Sequence, residues 1–297
     1  MDAHGLLDGV LDLFFPRRCV VCRAPGAWLC AGCAAQLVEL PARRCRRCGA
    51  PGAATPCREC TGRELAFSSA AAAFVYDGPA RALVTACKFR ALRSVVVEMT
   101  TLAAPAFAAA CGVMAPAGGL ASPGVAPPPD GAARAGAAPP PEGPAPARAA
   151  PAVDLVTWVP GHRDHSLERG FNQAELLGRG LARSAGLPAA PLLVRTRHGS
   201  RQSGLDREAR AANVAGAFAL AKDASRVLMK LKRVVIVDDV YTTGETLNHC
   251  ARVLGQTGTD PFVFTFARTV RAHRPHPSKN TPAPHAPSSD ASFTPRS

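Results

Sequence analysis

Val234-Val235-Ile236-Val237-Asp238-Asp239-Val240-Tyr241-Thr242-Thr243-Gly244-Glu245-Thr246-Leu247 is the stretch on which the reading of this chain turns. Its first four residues are apolar and β-branched and follow the basic stretch from Lys230 to Arg233, the pattern of a strand buried on both faces of a parallel sheet. After the run, Leu247, Cys250, Ala251, Val253 and Leu254 recur at helical spacing. The prediction is a strand, a polar turn and a helix. At the carboxyl end of such a strand, backbone N–H groups of the turn and of the helix start converge, and the helix dipole adds partial positive charge. Thr242, Thr243 and Thr246 bring hydroxyl donors, and Gly244 lets the backbone approach a phosphate without a Cβ in the way. Asp238 and Asp239 repel a phosphate but suit sugar hydroxyls, or a metal ion held against them. A helix cap with a solvent-facing carboxylate is the blander reading of the two acids. The whole run favours a cradle for a sugar that carries its own phosphate.

Upstream, Leu155, Val156, Trp158 and Val159 read as a second strand ending in Pro160-Gly161-His162-Arg163. Asn172 with Glu175 suits a capping box, and Leu176, Leu177, Leu181 and Ala185 form the buried stripe of the helix that follows. A third strand is expected at Leu192–Val194, so that strands and helices alternate around one parallel sheet. The loop from Arg195 to Ala217 carries Arg195, Arg197, Arg201, Arg207 and Arg210. Two readings of it stand level: a loop that closes over a pyrophosphate, and a solvated helical surface.

Eight of the eleven cysteines form four C-x-x-C pairs: Cys19 with Cys22, Cys30 with Cys33, Cys45 with Cys48, and Cys57 with Cys60. Such a turn aims both sulfurs at one point, and two turns supply a tetrahedral zinc site. The segment has few large apolar residues, so metal binding supplies its folding energy. Disulfides and a thioredoxin-like redox motif are the competing readings. Sequential pairing is simplest, with interleaved pairing left open. Arg17, Arg18, Arg23, Arg43, Arg44, Arg46, Arg47, Arg58 and Arg63 thread this region, either to contact nucleic acid or to solvate a small domain and balance thiolate charge. Cys87, Cys111 and Cys250 read as ordinary buried thiols.

The 26 Gly and 28 Pro among 297 residues are far above average usage. Between Gly112 and Ala152 all but nine of 41 residues are Ala, Gly or Pro, and from Ala272 onward the chain is polar and Pro-rich; both stretches are expected to be disordered. The formal charge of +13 falls to +9 once eight zinc-bound thiolates and two zinc ions are counted. About +4 of that is assigned to the C-terminal end, in Arg268, Arg271, Arg274, Lys279 and Arg296 less Asp290. A basic balance favours anionic partners. Leu6 to Phe15, interrupted by Asp8 and Asp12, reads as a short amphipathic helix, and no stretch reads as a membrane span or secretion signal. The expected location is cytoplasmic.

The run Val234 to Leu247 resembles the phosphoribosyl pyrophosphate signature of type I phosphoribosyltransferases. By that resemblance Asp238 and Asp239 hold the ribose 2′ and 3′ hydroxyls, and Thr242, Thr243, Gly244, Glu245 and Thr246 the 5′-phosphate. The four cysteine pairs, Cys87-Lys88-Phe89, Glu168-Arg169-Gly170-Phe171-Asn172-Gln173-Ala174, Gln202 and Leu205 with Arg210 and Asn213-Val214, and Ala267-Arg268-Thr269 extend the likeness. Together they resemble the ComF family of competence-associated, phosphoribosyltransferase-like proteins. Gly161 and Ala91 depart from that family's pattern. The resemblance implies an α/β fold, a type I phosphoribosyltransferase-like parallel sheet flanked by helices and preceded by a double zinc ribbon. The boundaries expected are 1–64 for the N-terminal helix and ribbon, 65–111 for the start of the phosphoribosyltransferase-like domain, 112–152 for the insert, 153–271 for its core and 272–297 for the tail. It further implies Arg163 in the pyrophosphate loop, Arg169, Asn172 and Gln173 lining the same site, and Lys88 as a substrate or pyrophosphate contact, its alternative being a snorkelling surface lysine. The implied ligand is phosphoribosyl pyrophosphate with Mg²⁺, or a nucleotide. The implied reaction displaces pyrophosphate through an oxocarbenium-like state, and the implied setting is DNA uptake. The competing function is a non-catalytic sensor that binds single-stranded DNA or a translocation partner.

Metal analysis of protein purified without chelators is expected to give about two zinc per chain. A value near zero contradicts the ribbon.

Overall fold

The computed structural model describes residues 17–52, 56–90, 93–113, 153–161, 170–196 and 216–270. The expectations for Leu6–Phe15, Arg163, Arg169, residues 114–152 of the insert, residues 197–215 of the basic loop and the tail from 272 fall outside them. The elements in chain order are α1 (Ala31–Ala34), β1 (Ser69–Val75), α2 (Gly78–Arg90), α3 (Arg93–Cys111), β2 (Leu155–Trp158), α4 (Gln173–Ser184), β3 (Leu193–Arg195), β4 (Phe218–Leu220), α5 (Ala224–Leu228), β5 (Arg233–Tyr241), α6 (Glu245–Gly255) and β6 (Asp260–Arg268).

Four strands form one parallel sheet in the order β1-β6-β5-β2. Its centre is β5 and β6, whose apolar residues alternate between two cores. Val235, Val237, Phe262, Phe264 and Phe266 face α2, α3 and α4, whereas Val234, Ile236 and Val263 face α6, α5 and the β3–β4 pair. Burial on both faces is why these strands read as continuous apolar runs. On the first face Phe107 of α3 meets Phe264 edge-on, with ring centroids 5.0 Å apart. By length and composition α3 is apolar enough to cross a membrane, which the sequence reading did not single out. In this fold Val95, Val96, Met99, Ala103, Phe107, Ala108 and Cys111 of that helix are buried. Helix α4 lies so close that a Cβ on Gly180 would come 2.7 Å from Thr100 of α3. The buried stripe of α4 is Ala174, Leu177, Gly178, Leu181 and Ala182, turned slightly from the expected one, with Leu176 only half-buried.

Two elements differ from expectation. The third strand leaves the parallel sheet: Leu193–Arg195 pairs antiparallel with Phe218–Leu220. Before it, Pro188 and Pro191 lack the N–H groups that a parallel ladder requires, and one bridge at Ala189 to Val156 is all that forms. The central strand is also longer, running to Tyr241 and taking both aspartates into the sheet.

The cysteine-rich segment straddles the edge of the sheet. The Val38 carbonyl accepts from the Val75 amide at 2.8 Å, the Leu40 amide donates to the Ala73 carbonyl at 3.4 Å, and Glu39 bridges Phe74, so residues 38–40 cover the free edge of β1. Cys19, Leu29 and Cys33 join the first core, while Cys48 and Ala50 join the second. The ribbon therefore gains packing energy from the sheet, in addition to anything a bound metal would supply. Its second half is clamped by Arg268 at the end of β6, which is 2% exposed. Arg268 donates to the Cys48 carbonyl at 2.6 Å and to Glu59 at 2.7 Å, and its guanidinium lies 4.0 Å from the Tyr241 ring centroid. This residue, counted from sequence with the basic C-terminal end, is a core residue.

Candidate ribose-phosphate site and zinc ribbon

Each half of the ribbon gathers four sulfurs in sequential order. Cys19, Cys22, Cys30 and Cys33 form one cluster and Cys45, Cys48, Cys57 and Cys60 the other, with all ligand atoms of a cluster within 4.8 Å of one another. A tetrahedron of ~2.3 Å zinc–sulfur bonds has edges of about 3.8 Å. The Cys22–Cys30, Cys48–Cys57 and Cys45–Cys60 sulfur separations are 3.5, 3.7 and 3.8 Å. None of the eight cysteines is in a disulfide, and the sulfur separations suit a shared metal rather than S–S bonds. Burial opposes ionisation in both clusters. Backbone amides nonetheless bring Cys19 down to about 6 and Cys45 down to about 7, while burial pushes Cys33 up to about 12. Crowded sulfurs compete for negative charge unless a cation sits among them. The two four-cysteine clusters fit two structural zinc ions.

The turn after β5 sorts its polar groups by direction. The Tyr241 carbonyl accepts from the Thr269 amide at 3.0 Å, and the Tyr241 and Thr242 carbonyls accept from the Thr269 hydroxyl at 3.3 and 3.4 Å. The Thr243 carbonyl accepts from Arg63 at 2.7 Å, and the Gly244 carbonyl from the Asn248 amide at 2.8 Å. All four carbonyls are engaged. The amides of Thr242, Thr243, Gly244 and Thr246 have no acceptor among the described residues, and the Glu245 amide reaches only the Thr243 hydroxyl at 3.4 Å. With α6 beginning at Glu245, this is a run of unengaged donors at a helix start. Gly244 has φ +78°, and a Cβ there would collide with the Tyr241 ring. Its requirement thus comes from the packed tyrosine behind the turn, a cause distinct from the approach of a phosphate.

The two aspartates occupy strand positions, and they part. Asp239 turns to the α2–α4 side, where it is buried, accepting from Gln173 Nε2 at 2.6 Å and pairing with Lys88 Nζ at 3.0 Å. Asp238 lies toward the other core, within electrostatic reach of Cys250. The Asp239 amide donates to Asp238 Oδ1 at 2.9 Å, a contact that ties the backbone of one to the carboxyl of the other. Beyond Asp239 the alternation slips, with Val240 against the first core and Tyr241 in the second. Burial and then the Asp239 charge push Asp238 up to about 8. Burial opposes the charge on Lys88, but Asp239 prevails and holds its pKa above the ordinary lysine value.

Of the other sequence-predicted residues, Asn172 caps α4, its Oδ1 accepting from the Ala174 amide at 3.1 Å and its Nδ2 donating to the Val159 carbonyl at 3.1 Å. Glu175 pairs with Arg179 at 2.9 Å, so the capping box is formed on one side. Arg195 ends β3 with its guanidinium 5.0 Å from the Phe218 ring centroid. Cys87, Cys111 and Cys250 are buried, and burial pushes Cys111 up to about 12. Sequence reasoning gave Arg63, Asn248 and Arg268 no part in the turn; Arg63 and Arg268 meet it or Tyr241 from the ribbon and from β6, and Asn248 joins it from within α6 to residues 64 and 66. Only the position of Asn248, on the first turns of α6, offered any signal.

The Asp238 shift yields a pH prediction. Its native pKa of about 8 exceeds the ordinary 3.8, so the native state holds an extra proton between those values. The stabilisation is complete below the lower value and is lost as pH rises through the upper one. Asp238→Asn does not titrate, so its Tm should gain on wild type between pH 6 and 9 by on the order of 3 °C, discounted for partial exposure. Parallel Tm curves contradict the shift.

Residues 10–61 match the double zinc ribbon domain family. Competence protein F of Haemophilus influenzae is 38% identical over 103 residues, covering 34% of this chain and 44% of that protein. The match spans less than half the length of that relative. Among solved structures, the chain is similar to a glutamine phosphoribosylpyrophosphate amidotransferase from B. subtilis complexed with ADP and GMP, at 22% identity and TM-score 0.26, covering 39% of this chain and 23% of that one. A second, described as the allosteric regulatory enzyme of purine biosynthesis, shows 21% identity and TM-score 0.25 over 38% and 21% of the two chains. The chain thus carries a double zinc ribbon and, over about a third of its length, is similar to competence protein F.

Proposed function

We propose that the chain binds the ribose 5-phosphate portion of phosphoribosyl pyrophosphate, presented as its Mg²⁺ complex, and transfers it in a phosphoribosyltransferase-like reaction. The observation that carries this reading is the turn whose carbonyls are all engaged and whose amides at Thr242, Thr243, Gly244 and Thr246 lack acceptors among the described residues. A phosphate monoester supplies what such donors need. Asp239 exchanges its contacts with Lys88 and Gln173 for the ribose hydroxyls, while Asp238, on the other side of the strand, holds the Asp239 backbone amide and so fixes where that carboxylate is presented. Lys88, released toward the ligand, joins Arg163, Arg169 and Gln173 on the pyrophosphate side, where cations stabilise the charge that the leaving group develops. Asn172 supports this wall by fixing the start of α4 against the end of β2. Magnesium, carried in with the substrate, neutralises pyrophosphate charge.

We further propose a setting in DNA uptake, in keeping with the name of competence protein F, with single-stranded DNA and the uptake machinery as partners and the cytoplasm as the location. The sensor reading shares the same binding site, lacks turnover, and has the chain bind single-stranded DNA or a translocation partner.

Calorimetric titration of phosphoribosyl pyrophosphate with Mg²⁺ is expected to show binding that Asp238→Asn/Asp239→Asn weakens roughly tenfold or more. A parallel assay for pyrophosphate release with pooled bases separates the two functions: release identifies the transferase, and binding without release identifies the sensor. Equal binding by wild type and the double variant, or none by wild type, contradicts the site.

A further inference from the structure

Glu245 presents a physical conflict. As the first residue of α6 its carboxylate suits the positive end of the helix dipole, the same place a bound phosphate would exploit. An uncompensated carboxylate there repels a phosphate dianion. Compensation comes from outside the α/β core, because Arg63 Nη2 donates to Glu245 Oε1 at 2.6 Å and to the Thr243 carbonyl at 2.7 Å. The pair is substantially exposed, with side chains 30% and 54% accessible, so it contributes little to global stability. Its consequence lies in the local field and in the direction of the Thr243 peptide.

The backbone of Arg63 is held from both sides. Its amide donates to the Cys60 carbonyl at 3.1 Å, within the last cysteine turn of the ribbon. Just beyond it, Asn248, 5% exposed, donates to the Glu64 carbonyl at 2.8 Å and accepts from the Ala66 amide at 2.7 Å. That clasp joins the end of the ribbon to α6 itself. The guanidinium is thus delivered to the turn by two fixed anchors.

We propose that Arg63, a residue of the zinc ribbon, is a positioning residue of the phosphate turn: it neutralises Glu245 and holds the Thr243 carbonyl outward, so that an incoming phosphate monoester meets N–H donors without an opposing charge. The ribbon is then a wall of the ligand site as well as a metal-binding module. The proposal rests on the reading of Thr242–Thr246 as the phosphate turn.

Ribose 5-phosphate titrated calorimetrically into the zinc-loaded full chain tests it, using Arg63→Gln, Glu245→Gln and the double variant. Arg63→Gln should weaken binding roughly tenfold, whereas Glu245→Gln, which removes the opposing charge and leaves the Arg63 guanidinium beside the turn, should tighten it. The double variant should recover to within about threefold of Glu245→Gln, a rescue that a purely structural role for Arg63 would not give. Melting temperatures of the three variants should stay within about 2 °C of wild type, as an exposed pair requires. Unchanged binding by Arg63→Gln overturns the proposal, as does a double variant still as weak as Arg63→Gln. Failure of wild type to bind ribose 5-phosphate at all is a different result: it removes the phosphate-turn reading and this inference with it.

Discussion

A single buried guanidinium ties this molecule together. Arg268 sits at the carboxyl end of β6, closes on the Cys48 carbonyl and Glu59 in the ribbon, and lies across the ring of Tyr241 at the end of β5. Burying a charge so completely is costly unless it is paired and hydrogen-bonded, and here one partner is a backbone carbonyl inside a cysteine turn. Zinc-site geometry, the tyrosine ring and the strand ends are thereby made dependent on one another. Tyr241 in turn leaves no room for a side chain at residue 244, which forces the glycine that precedes α6. The shape of the turn at residues 242–244 follows from packing behind it.

This arrangement divides labour along the sheet edge. The main-chain donors at Thr242, Thr243, Gly244 and Thr246 are left without protein acceptors among the described residues, and the carbonyls beside them are bound by Thr269, Arg63 and Asn248. The acids are handled differently. Asp239 is held by Lys88 and Gln173, whereas Asp238, on the other side of the strand, is pushed toward its protonated form by burial and by its neighbour. Two adjacent carboxylates in one strand are therefore unequal before any ligand arrives, the usual outcome when like charges share a small volume.

What could be read from sequence was local. The apolar run at Val234–Val237 and the turn residues after it lie within a few positions of one another, and each C-x-x-C pair declares its chemistry by spacing alone. The cap at Asn172 was legible for the same reason. The Ala-rich stretch Ser69–Val75 has helical propensity, yet it forms β1 because both its faces are buried between helices and ribbon and its edge is covered by residues 38–40. The departure of Leu193–Arg195 from the parallel sheet depended on prolines acting over several residues. Arg63, Asn248 and Arg268 were illegible because their partners lie about 180 to 220 residues away, as in Arg63 with Glu245 and Arg268 with Cys48. Arg268 was misassigned to a solvated basic end because nothing adjacent to it reveals Glu59.

Whether the second half of the ribbon and the turn after β5 form one mechanical unit is decided by amide hydrogen exchange on the zinc-loaded chain and its Arg268→Met variant. The account predicts that peptides covering residues 43–52 and 240–248 lose protection together, by about tenfold in rate, while β2 keeps its own. Opening of the ribbon peptide alone, with the turn as protected as in wild type, would contradict it.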